Sequence, residues 1–374
     1  MSSAPHNPPF RAELIGSLLR PQRLKDARHR HGAGEIGDAE LRRIEDEEIR
    51  KVVKLQEDHG FRVATDGELR RDTYSDSFTT HGITGLKEGP DLGGTFAYTD
   101  ASGDRIPQRV PQIVDKVRWA GPTNVADFRF LSSCVTTALP KVTLPGPAYI
   151  HFRSGRANIS RDVYPKLDDF WSDLAGAYHQ EMAALADAGC RYIQIDETSI
   201  AKLGDPKIRE GMAARGDNWE ELLETYTDAV NAVADGVPSG VALGMHLCRG
   251  NKAGHWQAEG GYDVVAEKLF RKLRIRFYFL EYDSPRAGSF EPLRALPGDK
   301  TVVIGAMTTK SGDLESAETL KARIQEAAKV VDRDRLALSP QCGFSSSVDG
   351  VMSPAQQDAK LTRLMDVARD IWGA

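Results

Sequence analysis

Only four cysteines, Cys134, Cys190, Cys248 and Cys342, occur in 374 residues. That is too sparse for a disulfide scaffold, and a reducing compartment leaves them as thiols, so metal binding or plain burial has to account for each. No stretch approaches the length of a membrane span, and Met1 to Phe10 is polar and proline-rich, without the apolar centre of a signal peptide. The expected location is the cytoplasm, with no membrane partner. Blocks of like charge are missing too. Acidic and basic residues are interspersed and the formal charge is −5, which gives no basic field for nucleic acid. Small-molecule chemistry is the class that survives. Low-complexity tracts and a second domain boundary are also lacking, so residues 1–374 read as one domain, a length that single barrels of strands and helices reach.

What is present is alternation. Eight short apolar runs, Ala12 to Ser17, Phe61 to Glu68, Val142 to Ile150, Tyr192 to Glu197, Val241 to Cys248, Phe277 to Asp283, Val302 to Met307 and Leu336 to Cys342, are separated by longer stretches of helical period. Trp171, Leu174, Tyr178, Met182 and Leu185 recur at helical spacing, as do Trp219, Leu222, Leu223, Tyr226, Val230 and Val233. Asp38 is the expected cap of a helix through Leu41, Ile44 and Val52, and Ala355 to Trp372, behind Pro354, reads as a closing helix. The pattern predicts an α/β fold, a (β/α)8 TIM barrel, with an inserted segment after the second strand. That insertion, about 79–139, is rich in glycine, proline and polar residues, and is expected at the active-site rim as a hairpin or lid.

Side chains of a barrel strand alternate between the interior and the surrounding helices, so spacing by two assigns the face. In Val241 to Cys248, the residues Val241, Leu243, Met245 and Leu247 face the helices, leaving Ala242, Gly244, His246 and Cys248 inside. The same count puts Glu281 and Asp283 on one face, and the last strand delivers Cys342 to its C-terminal end. A lone His-x-Cys pair is a weak signal, because a buried cysteine is more often an inert small hydrophobe. Its conjunction with Glu281 and Cys342 at strand ends is stronger, since an imidazole, two thiolates and a carboxylate suit Zn2+. Glu281 is the ligand expected to exchange. Cys190 precedes its strand and, with Cys134, is given no metal role. Ser17, Glu68 and the pair Asp196 and Glu197 also stand at strand ends, where carboxylates bind a substrate ammonium or act as acid and base, or else pair with an arginine or cap the next helix.

These residues together resemble the cobalamin-independent methionine synthase family, specifically its C-terminal catalytic barrel in a short single-barrel form. The resemblance runs over nearly the whole chain. It rests on Ile15-Gly-Ser17, Asp66-Gly-Glu68 followed by Arg70-Arg71, Gly146-Pro147, Ile195-Asp-Glu197, His246-Leu-Cys248, Leu280-Glu281 and Cys342-Gly343. It implies zinc held by His246, Cys248, Glu281 and Cys342. It further implies that Ser17, Glu68 and Asp196, with the backbone beside Ile15, hold the amino-acid part of homocysteine.

Two positions depart from the family. Where the synthases carry a histidine thought to protonate the folate nitrogen, the run Gly305 to Ser311 offers Lys310, and the tryptophan that stacks on the pterin is not evident beside His151-Phe-Arg153. Lys310 is therefore the candidate acid, and Arg153 a candidate for binding the methyl donor. The implied reaction is transfer of a methyl group, from a methyl-folate or another donor, to a zinc-activated thiol, homocysteine giving methionine. Three other readings stay open at this point. One is alkyl transfer to a different thiol, as in the epoxide and coenzyme M branch, another a metal-dependent hydrolase or decarboxylase, and the third a binding module with a structural metal.

Overall fold

The structure, a computed structural model, describes residues 7–90, 109–345 and 350–373. Its centre is a six-stranded parallel sheet in the order β10-β9-β8-β7-β6-β5. In chain order the strands are β1 (Val63–Ala64), β2 (Leu86–Pro90), β3 (Arg109–Ile113), β4 (Leu139–Pro140), β5 (Val142–Pro145), β6 (Tyr192–Asp196), β7 (Ala242–Leu247), β8 (Phe277–Glu281), β9 (Thr301–Met307) and β10 (Leu336–Pro340). Strands β5 to β10 are buried almost end to end, as expected of a parallel sheet covered on both faces.

Beside this sheet, β1 pairs in parallel with β4, and the Lys141 N–H donates to Ala64 O at 2.9 Å, which links β1 to the start of β5. The sequence expectation of a strand over Ala12 to Ser17 is corrected to a single parallel bridge, Ala12 to Leu338. Beyond Glu13, side chains take the carbonyls that a ladder would use. Gln194 Nε2 donates to Ile15 O at 2.8 Å and Thr65 Oγ1 to Gly16 O at 2.6 Å. Leu18 N–H then donates to Gly67 O at 3.0 Å, so this segment touches β10 at one end and the chain after β1 at the other. Gly16 is required there, because a Cβ would lie 2.4 Å from Glu68 Oε1. The second expected strand, Phe61 to Glu68, shrinks to two residues, and the third stops at Pro145, with one more backbone bond to β6 from the Gly146 N–H to Asp196 O at 2.8 Å.

The helical periods become the helices Leu167–Asp187, Trp219–Asp235 and Pro354–Trp372, each burying its apolar stripe. Ser353 starts the last of these with a capping box closed by Gln356, and Pro354 occupies its first turn. The helix Asp38–His59 begins as anticipated, but Asp38 does not cap it. Gly37 holds the cap position and the Asp38 carboxylate instead meets His31 Nε2 at 2.7 Å. Within 79–139, β2 and β3 pair as an antiparallel hairpin and Val125–Cys134 is helical, while residues 91–108 of the expected insertion lie outside the described residues. Among the described residues no helix is long and apolar enough to cross a membrane.

One interior layer combines charge with aromatic packing. Gly244 leaves room for the Phe277 ring, 2.3 Å from where its Cβ would stand, and Lys141 Nζ lies 4.8 Å from the centre of the Phe279 ring. Lys141 and Glu13, both fully buried, face each other at 3.6 Å, with Gln194 accepting from Lys141 at 2.8 Å and Tyr192 donating to Glu13 at 2.9 Å. Removing one charge of such a pair strands the other in low dielectric, at a cost of about 3 kcal/mol or more. Lys141→Met is therefore expected to lower the urea midpoint strongly, and Glu13→Gln added to it to recover part of the loss; equal stability of the single and double variants would contradict the pairing.

Candidate active site

The C-terminal ends of β7 and β10 bring together the residues with the strongest donor chemistry. His246 is the fifth residue of β7 and Cys248 follows its end, on the same face by the alternation of the strand. Cys342 lies two residues past β10, and its sulfur is 3.6 Å from that of Cys248. One ligand atom from each of these three buried residues falls within 4.8 Å of the others. Both ring nitrogens of His246 are buried without a hydrogen-bond partner. An orphaned imidazole beside two thiols is a donor set that a metal ion would satisfy. Two metal–sulfur bonds of about 2.3 Å at a tetrahedral angle separate the sulfurs by about 3.8 Å, whereas a disulfide would bring them to about 2.05 Å. The donor set thus fits a possible metal site. The Cys248 thiol is drawn well below its ordinary value by the Cys342 thiol and the His246 imidazole beside it, while burial pushes the Cys190 thiol up to about 11.

Glu281, the fourth expected ligand, does not join the three. Its carboxylate is fully buried and accepts from the Arg249 N–H at 2.8 Å, from Lys310 Nζ at 3.0 Å and from Arg286. Burial alone would raise its pKa, but Lys310, Arg249 and Arg286 outweigh that and pull it down to about 2. Lys310 is correspondingly committed. Burial lowers its pKa, and the Glu281 and Asp283 carboxylates more than compensate, holding the ammonium above its ordinary value.

The three donors open on a cavity of about 170 Å³, whose wall also carries Ile15, Ser17, Glu68, Asp196 and Arg153. Glu68 is held by Thr143, which donates to its Oε1 at 2.9 Å, and Asp196 by Gln194 Nε2 at 2.7 Å. Burial, with Glu68 nearby, pushes the Asp196 carboxyl up to about 7 against the opposing pull of His246. Ser17 Oγ accepts from the Ser345 N–H at 3.3 Å. Three expected site residues are absent from the cavity wall: Glu197, Glu281 and Lys310. Glu197 spends its carboxylate on the N–H groups of Ser199, at 2.7 Å, and Ala148, at 3.3 Å, and so ties the chain after β6 to the chain after β5.

Comparison with known proteins decides the family. Residues 10–368 match the family model described as "Cobalamin-independent synthase, Catalytic domain". The chain belongs to the cobalamin-independent methionine synthase family. It is 39% identical over 368 residues to the Bacillus subtilis protein YxjH, covering 97% of this chain and 95% of that one. A methionine synthase of Saccharolobus islandicus is 29% identical over 338 residues, 88% of this chain and 87% of its own. Among solved structures, a putative vitamin-B12 independent methionine synthase from Listeria monocytogenes superposes with a TM-score of 0.75 at 33% identity, covering 98% of this chain and 99% of that one.

For a methionine synthase-like catalytic domain the cavity holds more than the sequence motifs pointed to. Tyr74, Tyr149, Lys202, Asn251 and Gln257 also line it. Lys202 sits six residues beyond the end of β6, in the connection where barrel enzymes place site residues, and that position was its one signal in the sequence. Tyr149 opens the helix Tyr149–Ser154, and Tyr74, Asn251 and Gln257 belong to loops whose course no periodicity announces. In metal-free protein at pH 7, a small alkylating reagent is expected to modify Cys248 on the order of a hundredfold faster than Cys190. Peptide mapping checks this, and comparable rates would show that the thiols at the cavity are not activated.

Proposed function

We propose that this protein transfers a methyl group to the sulfur of a thiol bound at a zinc ion, with homocysteine as the acceptor and methionine as the product. The observation that carries the reading is the group formed by His246, Cys248 and Cys342, with its unpartnered imidazole, on the wall of a cavity that also holds Glu68 and Asp196. Family membership supports methyl transfer as the reaction type. We take the parallel strands to close as a single (β/α)8 barrel over residues 1–374, with the segment at Ala12 supplying the missing stave and 79–139 forming an insertion at the rim. The hydrogen bonds from that segment to Leu338 and to Gly67 support closure.

His246, Cys248 and Cys342 would hold the ion, and zinc, when bound there, lowers the pKa of an incoming thiol and fixes its sulfur. Glu281 is assigned as the exchangeable fourth ligand, which requires it to release Lys310 or Arg286. A role for Lys310 as a donor-side acid would need its ammonium to leave both Glu281 and Asp283, so we assign Lys310 to steadying Glu281. Glu68 and Asp196 receive the substrate ammonium, Asp196 acting as a catalytic residue by aligning it, and Ser17 with the backbone near Ile15 receives the substrate carboxylate. Two carboxylates facing the cavity favour an ammonium-bearing thiol over a purely anionic one such as coenzyme M. Glu197 serves by fixing the loop at Ala148. The protein's task is then alignment: the new S–C bond forms in line as the methyl carbon parts from the donor atom, which keeps the electron pair. A reducing cytoplasm, which preserves Cys248 and Cys342 as thiols, is the compartment that suits this chemistry.

Zinc X-ray absorption with and without homocysteine tests the proposal, since thiol entry should add sulfur to the coordination shell in place of oxygen or nitrogen. An unchanged shell, or steady hydrolysis of an ester substrate without thiol, would favour a hydrolase instead. Cys248→Ser and Cys342→Ser are each expected to lose most bound zinc and activity, and Cys190→Ser neither; full zinc retention in the first two removes the ligand assignment. A charge-assisted hydrogen bond contributes about 1.5–3 kcal/mol, so Glu68→Gln should weaken homocysteine binding by roughly ten- to a hundredfold with zinc content unchanged. Calorimetric titration measures that shift.

A further inference from the structure

Two cations on the cavity wall are not used by the thiol. Arg153 lies on the helix Tyr149–Ser154 beyond β5 and is 6% exposed, and its Nε is buried with no hydrogen-bond partner. Lys202 lies in the turn Ile200–Gly204 beyond β6 and is 4% exposed. Its ammonium donates to Gln257 Oε1 at 2.7 Å and stands 5.3 Å from the centre of the Phe152 ring. The other end of that amide, Gln257 Nε2, is itself buried without an acceptor. Among the described residues no carboxylate forms an ion pair with Arg153 or Lys202, although two dozen or so lysines and arginines elsewhere in the chain have one. Burial, followed by the positive charge of Arg153, pushes Lys202 down to about 8 against the weaker opposing pull of Cys248, Glu197 and Glu281.

Buried cations without an ion-pair partner, and buried donors without acceptors, are costly, and Arg153, Lys202 and Gln257 opening on one cavity call for a ligand that supplies the acceptors. The negative charge of the cavity sits elsewhere, on Glu68 and Asp196, and those residues suit an ammonium. We infer that Arg153, Lys202 and Gln257 form an anion subsite that receives an oxyanion group, a carboxylate, sulfonate or phosphate, of the methyl-donating substrate, while the thiol occupies the side of Glu68 and the three metal-ligand residues. This assignment to the donor rests on the methyl-transfer reading above. A guanidinium and an ammonium divide the work: the first offers directional, paired N–H groups and the second a compact charge. The donor is thereby narrowed to molecules whose anionic group lies close enough to the methyl carbon for both to share one cavity with the thiol.

Calorimetric titration of the zinc-loaded protein with acetate, methanesulfonate and inorganic phosphate, each with and without saturating homocysteine, tests the inference. At least one of these anions is expected to bind with one-to-one stoichiometry, to bind equally after zinc is removed by chelation, and to bind in the presence of homocysteine. Arg153→Gln and Lys202→Gln should each weaken it at least tenfold, with Arg153→Lys retaining part of the affinity and homocysteine binding changing less than twofold. Gln257→Leu provides a variant without a charge change should either of the first two fail to fold, and is expected to weaken the anion severalfold. Absence of anion binding in the wild type, or affinity unchanged in the variants, overturns the subsite. So does loss of the anion with the metal, which would locate it on zinc. Competition between homocysteine and the anion, with both variants losing homocysteine, would assign the cations to the carboxylate of the thiol itself. If homocysteine fails to bind while the anion still depends on Arg153 and Lys202, the acceptor reading falls and the anion subsite stands.

Discussion

The architecture depends on one constraint: β7 and β10 must end at the same level, so that a histidine and two thiols meet with their ligand atoms within 4.8 Å of one another. Neither strand touches the other; β8 and β9 lie between them. The 3.6 Å separation of the two sulfurs is therefore set by the register of three successive parallel pairings rather than by a local turn. A shift of one residue in any of them would turn the donors toward the helices, because side-chain direction alternates along a strand. The buried imidazole with two unsatisfied nitrogens is the mark that this constraint leaves on the protein, a cost that a bound metal ion would remove.

Charge around the cavity is sorted by position. Carboxylates sit beyond β1 and at the end of β6, unpaired cations beyond β5 and β6, and a third group, Glu281 with Lys310, Arg286 and Asp283, lies behind the donors as a self-contained knot. Beneath them the Glu13 and Lys141 pair, with Gln194 passing the connection on to Asp196, anchors the cavity floor. The result is a cavity in which each class of ligand group has a distinct place. That sorting is what a reaction of two substrates needs, since both must be oriented before either reacts.

Much of this was legible in the chain itself. Alternation in Val241 to Cys248 was sufficient to face His246 and Cys248 inward, and the helices marked by Trp171 and Trp219 stand where their periods put them. The differences between sequence and structure have physical origins. Ala12 to Ser17 reads as a strand because it is apolar, yet its carbonyls are claimed by Gln194 and Thr65, partners far away in sequence. Glu197 and Asp196 are adjacent and chemically alike, and only the folded chain shows that one faces the cavity while the other binds the N–H groups of Ser199 and Ala148. Lys310 looked free in the sequence because nothing there reveals that Glu281 and Asp283 converge on it. Lys202 and Gln257 stand out for the opposite reason: they belong to no motif, and their interest lies in the ion pair that Lys202 lacks and the acceptor that Gln257 Nε2 lacks.

The separation of Cys248 and Cys342 by 94 positions in the chain has a further consequence. A ribosome delivers His246 and Cys248 well before the strand that carries their partner, and the segment at Ala12 waits for Leu338 over the same interval. Until then the nascent protein carries only two of the three candidate donors. A metal that needs all three donors would therefore enter only after β10 has been made and has paired with β9.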